Sequence, residues 1–434
     1  MKPSYIRNSL LKTINSMAQD PSRFVNRPGV DFTRKRKCSF SDLILLILSM
    51  EAHTLNREIK RFFKKASSLM TKSALIQQRL KLNEKAFPFL FSELNRVVSL
   101  KKKHKGYYLL GIDGSDTNIP FLENDKSTHV PSNTSGVYYD QFHLNAAFDL
   151  LNGRFTDLII QPRAEADERQ AFLSFLSHNS VPGKCIFVAD RGYSSLNVLA
   201  HLQHSEHFFL LRMKTADAKP NLLSRFSFPQ DAEFDIPLRF SVTRSQKKIY
   251  KSNPDHYVCI RSDRRFDYID PEDRTSLVEL SFRLVKVELP DGKSEFLITN
   301  LPAGEFSKAD LKEVYRLRWG VETAYRYVKY NAALNSFHSI RRDLIQQEIY
   351  ARVILYNFSI MIVNCTPVPP KDTKVPLKIS ISDAISICRD FMIHKIKNAE
   401  ITVLLCRYLT EIRPGRTFPR KKRSKRVVPL MYRA

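Results

Sequence analysis

Three acidic residues stand where their carboxylates could meet and bind a divalent metal ion. Asp113 directly follows the apolar run 107–112, and Asp190 directly follows the apolar run Cys185–Ala189, so each is predicted just past the end of a buried strand. Ligands bind at the carboxyl ends of strands in open α/β sheets. The third residue, Glu322, lies in a predicted long helix. Carboxylates without a neighbouring histidine or thiolate suit Mg²⁺ better than Zn²⁺.

The predicted helix around Glu322 carries further polar groups on one face. Tyr315, Arg318, Glu322 and Lys329 follow the pattern Y-x2-R-x3-E-x6-K. At about 100° per residue, these side chains lie within roughly 60° of one another. The face suits a phosphodiester, because Glu322 would hold metal while the two cations neutralise phosphate oxygens and the phenol donates a hydrogen bond. The alternative is a solvated stripe held by an Arg318–Glu322 salt bridge at i,i+4.

The first acidic motif contains a second candidate ligand. Asp116 follows Asp113 by three residues. Asp113 is the preferred ligand because it directly ends the apolar run, whereas Asp116 is predicted to lie further into the following loop.

The elements predicted around these residues are a mixture of strands and helices. Strands are predicted at 107–112, 141–150, 154–161, 185–189 and 208–213, and helices at 165–178 and 195–203. Strand patterns dominate residues 214–303, at 234–242, 257–261, 277–289 and 296–299, with a turn at 290–292. A long helix begins at Ser307, where Asp310 completes a capping box, and runs to about residue 334. Another helix covers 343–357.

Both ends of the chain are basic. Short amphipathic helices are predicted at 40–50 and 73–83, between basic clusters at 34–37, 60–65 and 101–105. Segment 72–81, which includes Gln77, Gln78 and Arg79, is interpreted either as a recognition helix that enters a DNA groove or as the exposed face of a helical bundle. Eight Arg or Lys residues lie between 413 and 426, and no acid follows Glu411.

Composition and missing motifs narrow the functional class. The 434 residues carry a formal charge of +26, which favours DNA as partner ahead of an acidic membrane. Neither G-x-x-x-x-G-K-[ST] nor G-x-G-x-x-G occurs, which disfavours a phosphate-loop ATPase and a Rossmann dehydrogenase. Six scattered cysteines fit a reducing cytosol. No secretory signal is visible and the apolar runs 43–48 and 353–365 are too short to span a bilayer, so we expect a cytoplasmic protein.

The acidic motifs together resemble those of bacterial insertion-sequence transposases of the DDE class, in the group named after insertion sequence four. Residues 112–115, Ile-Asp-Gly-Ser, resemble the group's first motif, and residues 188–193, Val-Ala-Asp-Arg-Gly-Tyr, resemble its second. The helix face resembles its Y-R-E-K signature, and the order Asp, Asp, β-rich insertion, Glu is also the group's. The resemblance spans about 107–357, with a weaker family-like ending at 413–420.

The resemblance implies a fold and a division of the chain. The fold would be α/β, with a ribonuclease-H-like mixed sheet flanked by helices and interrupted by a β-rich insertion. The implied parts are a helical DNA-binding region at 1–100, the catalytic core at 101–213 and 304–365, the β-rich insertion at 214–303, and a helical and basic C-terminal region at 366–434.

The resemblance also implies a metal-dependent reaction. Asp113, Asp190 and Glu322 would bind two Mg²⁺ or Mn²⁺ ions, which activate the attacking oxygen and stabilise the leaving one. Water would first free a 3′-hydroxyl at the transposon end, and that hydroxyl would then attack target DNA.

The implied partner is double-stranded DNA, both transposon ends and target. Tyr315, Arg318 and Lys329 match the group's phosphate-contacting positions, and Arg212 resembles another DNA-contacting position. We expect a homodimer on paired transposon ends, in the bacterial cytosol and associated with the nucleoid.

Several alternatives stay open. The protein could be a nuclease that cleaves without joining strands, or a non-catalytic DNA-binding protein, although clustered acids near DNA disfavour the latter. The only tryptophan, Trp319, is expected to pack in the core rather than to stack on an unpaired base. His143 is interpreted as a strand residue rather than a base. The series His201, His204 and His207 is interpreted as separate histidines rather than as a zinc site.

Overall fold

The structure is a computed structural model that describes residues 1–34, 36–63, 65, 69–131, 138–215, 221–229, 231–289, 292–370, 375–412 and 431–432. Several predictions lie wholly or partly outside the described residues. They are the basic clusters 34–37 and 60–65, the turn at 290–292, and the C-terminal segments 413–426 and 413–420.

One ten-stranded mixed sheet forms the centre of the fold. Its strands are β1 (Tyr108–Ile119), β2 (His129–Pro131), β3 (Tyr138–Asp149), β4 (Arg154–Pro162), β5 (Cys185–Ala189), β6 (Phe208–Met213), β7 (Phe234–Thr243), β8 (Tyr257–Cys259), β9 (Val278–Glu288) and β10 (Ser294–Thr299). They lie in the order β2-β3-β1-β5-β6-β10-β9-β7-β8, and β4 also pairs with β3. β1, β5 and β6 are parallel neighbours. The predicted mixed α/β architecture is therefore confirmed.

The strands of the predicted β-rich insertion extend this same sheet. β10 pairs antiparallel with β6, β9 pairs with β10, and β7 pairs with β9. All four predicted strands of this segment occur, with ends within two residues of the predicted ones. The insertion therefore adds strands at the β6 side of the sheet.

Helices cover both faces of the sheet. They are α1 (Pro3–Gln19), α2 (Phe40–Ser49), α3 (Leu55–Phe62), α4 (Lys72–Arg79), α5 (Ala86–Val97), α6 (Glu168–Ser177), α7 (Leu196–Gln203), α8 (Lys248–Lys251), α9 (Lys308–Leu317), α10 (Trp319–Arg326), α11 (Arg342–Asn364), α12 (Ile381–Met392) and α13 (Ile401–Arg407). Two short strand pairs lie apart from the main sheet, β11 (Ser336–Phe337) with β14 (Met431–Tyr432) and β12 (Leu377–Ile379) with β13 (Leu409–Glu411).

Alternate residues of β1 enter different cores because successive strand side chains point to opposite faces. Leu109 packs in the core that includes α9 residues such as Leu311. Leu110 and Ile112 pack in the core that includes residues of α6 and α7. β1 therefore presents its odd-numbered residues to one layer of helices and its even-numbered residues to the other.

The predicted helix at 343–357 is confirmed, and it is longer than predicted. α11 runs from Arg342 to Asn364, and most of its side chains are buried on all sides. It packs against α1, α2, α5, α12 and β4. An all-round apolar helix is typical of a buried position, so α11 is the centre of the helical layer.

The recognition-helix interpretation is wrong for Arg79. This residue is fully buried, and its guanidinium donates to the Leu344 carbonyl oxygen at 2.7 Å and to Glu348 Oε1 at 2.9 Å. The end of α4 is thus fastened to α11, because a buried charge needs a partner. The exposed face of α4 contains Lys72, Ser73 and Gln77.

None of the helices in the described parts of the chain is long and apolar enough to cross a membrane.

The buried Arg79–Glu348 pair predicts a large effect on stability. Replacing Arg79 by Met should lower the free energy of unfolding by about 3 kcal/mol or more, because Glu348 would remain buried with fewer partners. Chemical unfolding followed by circular dichroism measures this. The matched control is Arg96→Met, which breaks the exposed Arg96–Glu93 pair and should cost about 1 kcal/mol or less. Equal losses for both variants would contradict a structural role for the buried pair.

Candidate active site

Asp113 and Asp190 lie side by side because two strands stop pairing at the same point. The parallel pairing of β1 with β5 ends at Ile112↔Ala189, and each acid is the next residue in its chain segment. Asp190 follows the end of β5, as predicted. The prediction that Asp113 follows the end of its strand is wrong, because β1 continues to Ile119. The antiparallel partner β3 keeps β1 extended as far as the pair Ile119↔Asp140.

Glu322 lies on a helix that is nearly continuous from Lys308 to Arg326. Ser307 and Asp310 form the predicted capping box at its start. A turn at Arg318 separates α9 from α10, and a π-helical turn, Tyr327–Asn331, follows α10. The predicted long helix is therefore present with two irregularities. π-Helical turns within helices occur frequently at functional sites.

A glycine in β1 lets α10 come close enough for Glu322 to reach Asp113. A Cβ added to Gly111 would lie 2.7 Å from Val321 Cγ2, the residue before Glu322. The Tyr325 hydroxyl adds a polar link, since it donates to the Leu144 carbonyl oxygen at 2.8 Å and to the Asp113 carbonyl oxygen at 3.3 Å. Close packing and these hydrogen bonds together fix α10 against β1 and β3.

Arg318 lies among the acidic side chains. Its Nη2 is 3.2 Å from Glu322 Oε1, and its Nη1 is 3.9 Å from Asp113 Oδ2. Its guanidinium carbon is 5.8 Å from the ring centroid of Tyr315 and 5.2 Å from that of Trp319. The predicted i,i+4 salt bridge is present, but Arg318 is only 5% exposed, so the solvated-stripe alternative is wrong.

The carboxylates repel one another in a partly dry environment. Burial raises the pKa of Asp113 to about 7, Arg318 opposes that rise, and the negative charges of Glu322 and Asp190 add to it. Burial disfavours the charged form of a carboxylate, and negative charges nearby disfavour it further. Arg318 therefore offsets only part of the negative charge of Asp113, Asp190 and Glu322, which we call the acidic cluster.

The acidic cluster fits a divalent cation in its chemistry. Its donors are carboxylate oxygens, which hard cations such as Mg²⁺ prefer. Within the described ranges, no three acidic, histidine or cysteine side chains are arranged so that they could already hold a metal ion. The Asp113 and Glu322 carboxylates instead contact the Arg318 guanidinium, and Asp190 Oδ1 accepts a hydrogen bond from the Gly192 amide at 2.7 Å.

Asp116 lies on the opposite face of β1 from Glu322. Gly111 and Ser115 lie on the face of β1 that α10 covers. Gly111 lies against Val321 of α10, and the Ser115 Oγ is 2.7 Å from Lys329 Nζ in the segment that follows α10. Asp116 instead pairs with His143 Nδ1 at 2.6 Å and with Arg163 Nε at 3.1 Å. The two-residue period of a strand therefore separates Asp116 from the acidic cluster.

The predicted DNA-contacting residues all surround the acidic cluster, but most already have partners. Lys329 Nζ also donates to the Asp116 carbonyl oxygen at 2.6 Å. Arg212 Nη2 is 3.1 Å from Glu295 Oε1. The Tyr315 hydroxyl is buried and has no hydrogen-bond partner within the described part of the chain. Burial raises the pKa of Tyr315, and the nearby Arg318 and Arg212 oppose the rise.

Trp319 does not pack in the core, and this expectation is wrong. The side chain is 46% exposed. It shares the outer face of α10 with Thr323 and Arg326, whereas Val321 and Ala324 point inward. The helical period therefore decides which residues of α10 enter the core. Trp319, the only tryptophan of the chain, lies outside the core and contacts Arg318.

The sequence predicts His143 in a strand but does not predict its contacts with Asp116 and Glu168. It lies in β3 directly opposite Asp116. Its Nε2 is 3.1 Å from Glu168 Oε1. Pairing of β1 with β3 could have suggested the Asp116 contact, but Glu168 is brought there only by the packing of α6. Of the other histidines, His201 pairs with Asp267 at 2.9 Å, and both His201 and His204 contact the Tyr268 ring. His207 lies beside Phe187.

The fold and the site thus place carboxylates from three separate segments together on a mixed α/β sheet, in a strongly basic chain. Residues 104–358 match the model of the transposase DDE domain family. The match covers more than half of the chain, so the protein belongs to this family. It is accordingly an enzyme of the DDE class, whose members bind DNA, cleave it and transfer strands, and generally use divalent metal ions.

Solved structures also resemble this chain in fold. The chain resembles the protein in the cryo-EM structure of a piggyBac transposase synaptic complex with hairpin DNA, with a TM-score of 0.47 and 9% sequence identity. The alignment covers 97% of this chain and 88% of that chain. No curated protein matches the chain.

Gly111→Ala should disturb the acidic cluster through packing. The new methyl group would meet Val321, whose branched side chain has one strongly preferred rotamer in a helix. Overpacking of this kind costs about 1–3 kcal/mol. We expect lower stability and weaker metal-dependent DNA cleavage, measured by chemical unfolding and a nicking assay. Gly304→Ala is the control, since nothing lies within 4 Å of its added Cβ. Wild-type cleavage by Gly111→Ala would show that α10 tolerates displacement.

Asp113→Asn and Asp116→Asn should change stability in opposite directions in metal-free protein. Because the folded state raises the pKa of Asp113, stability falls as pH rises between about 4 and 7, and Asn removes that penalty. Asp116→Asn should instead destabilise, because the folded pKa of Asp116 is lowered through its contacts with His143 and Arg163. Its stabilisation is present above its ordinary pKa and is lost as pH falls.

Thermal unfolding in EDTA at pH 8 and at pH 4 measures this difference. At pH 8, Asp113→Asn should be more stable than wild type by on the order of 1–2 kcal/mol. The gain should shrink towards pH 4, where the wild-type carboxyl carries a proton. Destabilisation by both substitutions at pH 8 would contradict the proposed charge imbalance.

Proposed function

We propose that this protein is the transposase of a bacterial insertion sequence, in the group named after insertion sequence four, and that its catalytic core is ribonuclease-H-like. The observation that supports the proposal is that Asp113 and Asp190 directly follow the last residue pair of β1 and β5, while Arg318 contacts both Asp113 and Glu322 of α10. The order of these three acids along the chain, with the four strands of the insertion, β7–β10, between the second and the third, is the order of that group's motifs.

Asp113, Asp190 and Glu322 would hold one or two Mg²⁺ or Mn²⁺ ions. A bound divalent ion supplies Lewis acidity, which favours both the attacking and the leaving oxygen of a phosphodiester displacement. The protein supplies the oxygen donors and holds the segments that carry them. Gly111 and Tyr325 keep the Glu322 helix on β1, and the Gly192 amide orients Asp190.

Four cationic or phenolic side chains would bind DNA phosphates. When the carboxylates bind metal, the Arg318 guanidinium can turn from Asp113 and Glu322 to a phosphate oxygen. The Tyr315 hydroxyl is an available donor beside it. Lys329 and Arg212 would exchange their present protein partners, Ser115 and Glu295, for phosphate oxygens.

The proposed reaction consists of two displacements at phosphorus. In the first, a water oxygen bonds to phosphorus at the transposon end and the 3′-oxygen leaves, taking up a proton, which yields a 3′-hydroxyl and a 5′-phosphate. In the second, that hydroxyl loses its proton and its oxygen bonds to a phosphorus of target DNA, whose own 3′-oxygen leaves. Strand transfer therefore joins the transposon end to the target.

The remaining parts of the proposal concern organisation. Residues 1–100 would bind DNA, 101–213 and 304–365 would form the core, 214–303 would be its insertion, and 366–434 would add a basic C-terminal region. The enzyme would act as a homodimer on paired transposon ends, on the nucleoid of the bacterial cytosol.

Cleavage of linear DNA that carries the element's terminal sequence tests the proposal. Wild type should nick the end only with Mg²⁺ or Mn²⁺, and should join it to a target duplex. Asp113→Asn, Asp190→Asn and Glu322→Gln should abolish cleavage and retain DNA binding in a mobility-shift assay. Glu313→Gln, an exposed acid on α9, is the control and should cleave normally.

Each other outcome identifies a different function. Metal-dependent nicking without joining would indicate a nuclease. DNA binding without cleavage by the wild type would indicate a protein that has kept the family's fold without its reaction. Full cleavage by one of the three variants would remove that residue from the site.

A further inference from the structure

His143 is a buried histidine between two carboxylates, on the opposite face of β1 from the acidic cluster. Its ring is 2.6 Å from Asp116 Oδ1 through Nδ1 and 3.1 Å from Glu168 Oε1 through Nε2. The ring also packs directly on β1, because a Cβ added to Gly114 would lie 2.4 Å from Nε2. Gly114 is the residue next to Asp113.

The residues that carry these carboxylates lie next to the segments of the other two acids. Asp116 accepts Lys329 Nζ at its carbonyl oxygen, 2.6 Å away, and Lys329 lies in the π-helical turn that follows α10. Glu168 begins α6, and the next residue, Arg169, donates from Nε to the Gly192 carbonyl oxygen at 3.1 Å. The Gly192 amide in turn holds Asp190.

The charges around the ring keep it positive at neutral pH. Burial lowers the pKa of His143, but the contacts with Asp116 and Glu168 raise it by a larger amount. The net result is a pKa of about 9. The pKa values of both carboxyls are lowered by the same contacts. The remaining charged groups facing this cluster are Arg163, at 3.1 Å from Asp116, and Lys329. An imidazolium between two carboxylates is therefore the stable state of the cluster.

We propose that His143 is a positioning residue that sets the spacing of Asp113, Asp190 and Glu322 and thereby the affinity of the site for divalent cations. It touches none of the three carboxylates. It acts through Gly114 on β1, through Glu168 and α6 on the Asp190 loop, and through Asp116 on the segment that follows Glu322. This inference rests on the proposed function, since it takes those three acids as the metal ligands.

A purely structural role would have a different signature. If His143 only packed α6 against the sheet, its replacement would lower stability, and the folded fraction would bind metal normally. A positioning role predicts weaker metal binding by protein that is still folded. Replacing outer partners of metal ligands typically costs 10–100-fold in metal affinity.

The test is a titration of the full-length protein with Mn²⁺ in the absence of DNA. Electron paramagnetic resonance measures the concentration of free Mn²⁺ at each step. Emission of Trp319, the only tryptophan, 5.2 Å from the Arg318 guanidinium, is a second readout. We expect His143→Ala to weaken Mn²⁺ binding by about tenfold or more. His143→Gln, which keeps a donor but loses the charge, should fall between Ala and wild type.

His201→Ala is the matched control, because it also breaks a histidine–aspartate pair, His201–Asp267, away from the acidic cluster. It should bind Mn²⁺ as wild type does. All variants are compared at a temperature where circular dichroism shows each to be folded. If His143→Ala does not fold, His143→Gln and Glu168→Gln decide the question, since each weakens the contacts between the His143 ring and its neighbouring carboxylates.

The outcomes separate this inference from the proposed function. Wild-type Mn²⁺ affinity in a folded His143 variant overturns the positioning role and leaves the proposed function standing. Absence of Mn²⁺ binding by the wild type overturns the proposed function itself. Weakened binding by the His143 variants with normal binding by His201→Ala supports both.

Discussion

The repulsion among three carboxylates in a partly buried site is the constraint on which the rest of this structure depends. Burial raises the pKa of Asp113 and this repulsion adds to the rise, while Arg318 and the Gly114 amide oppose it. Arg318 is itself buried and held between the rings of Tyr315 and Trp319. The same guanidinium is thus a counter-ion of the acids in the absence of metal and a candidate phosphate ligand in its presence. In the proposed function, charge balance would couple metal binding to DNA binding, because a bound cation would free Arg318 from the acids.

The alternation of side chains along β1 separates two acidic systems that are only three residues apart. Gly111, Asp113 and Ser115 face the helix of Glu322, whereas Gly114 and Asp116 face His143 and α6. On one face the negative charge is left under-compensated, which suits a cation site. On the other face a histidine and Arg163 neutralise it, which suits a rigid support. Two neighbouring aspartates of one motif therefore lie in different charge environments, and the difference follows from the period of the strand.

Local patterns predicted the elements well, and long-range packing decided what they missed. The capping box at Ser307, the strand Cys185–Ala189 and the strands of the insertion are local features, and all occur as predicted. The end of β1 was misplaced because β3, not the apolar run, determines how far the strand extends. Neither interpretation of segment 72–81, as a recognition helix or as an exposed bundle face, anticipates the burial of Arg79, because its partner Glu348 is 269 residues away in sequence. Trp319 was expected in the core because hydrophobicity alone does not show which face of α10 is outward.

The helices of residues 1–100 share their core with strands before the insertion and helices after it, and this bears on how DNA would be presented to the acids. Their apolar residues form one cluster with residues of β3, β4, α10 and α11. Ion pairs reinforce the contact: the buried Arg79 is joined to α11, and the partly exposed Glu51 is joined to Arg389 of α12. A DNA-binding region that was hinged to the core would have an exposed linker and few such contacts. Here a phosphate backbone held by the N-terminal helices would be held in a fixed relation to β1 and α10. Positioning of the scissile bond would then depend on the same packed helical layer that seats Glu322.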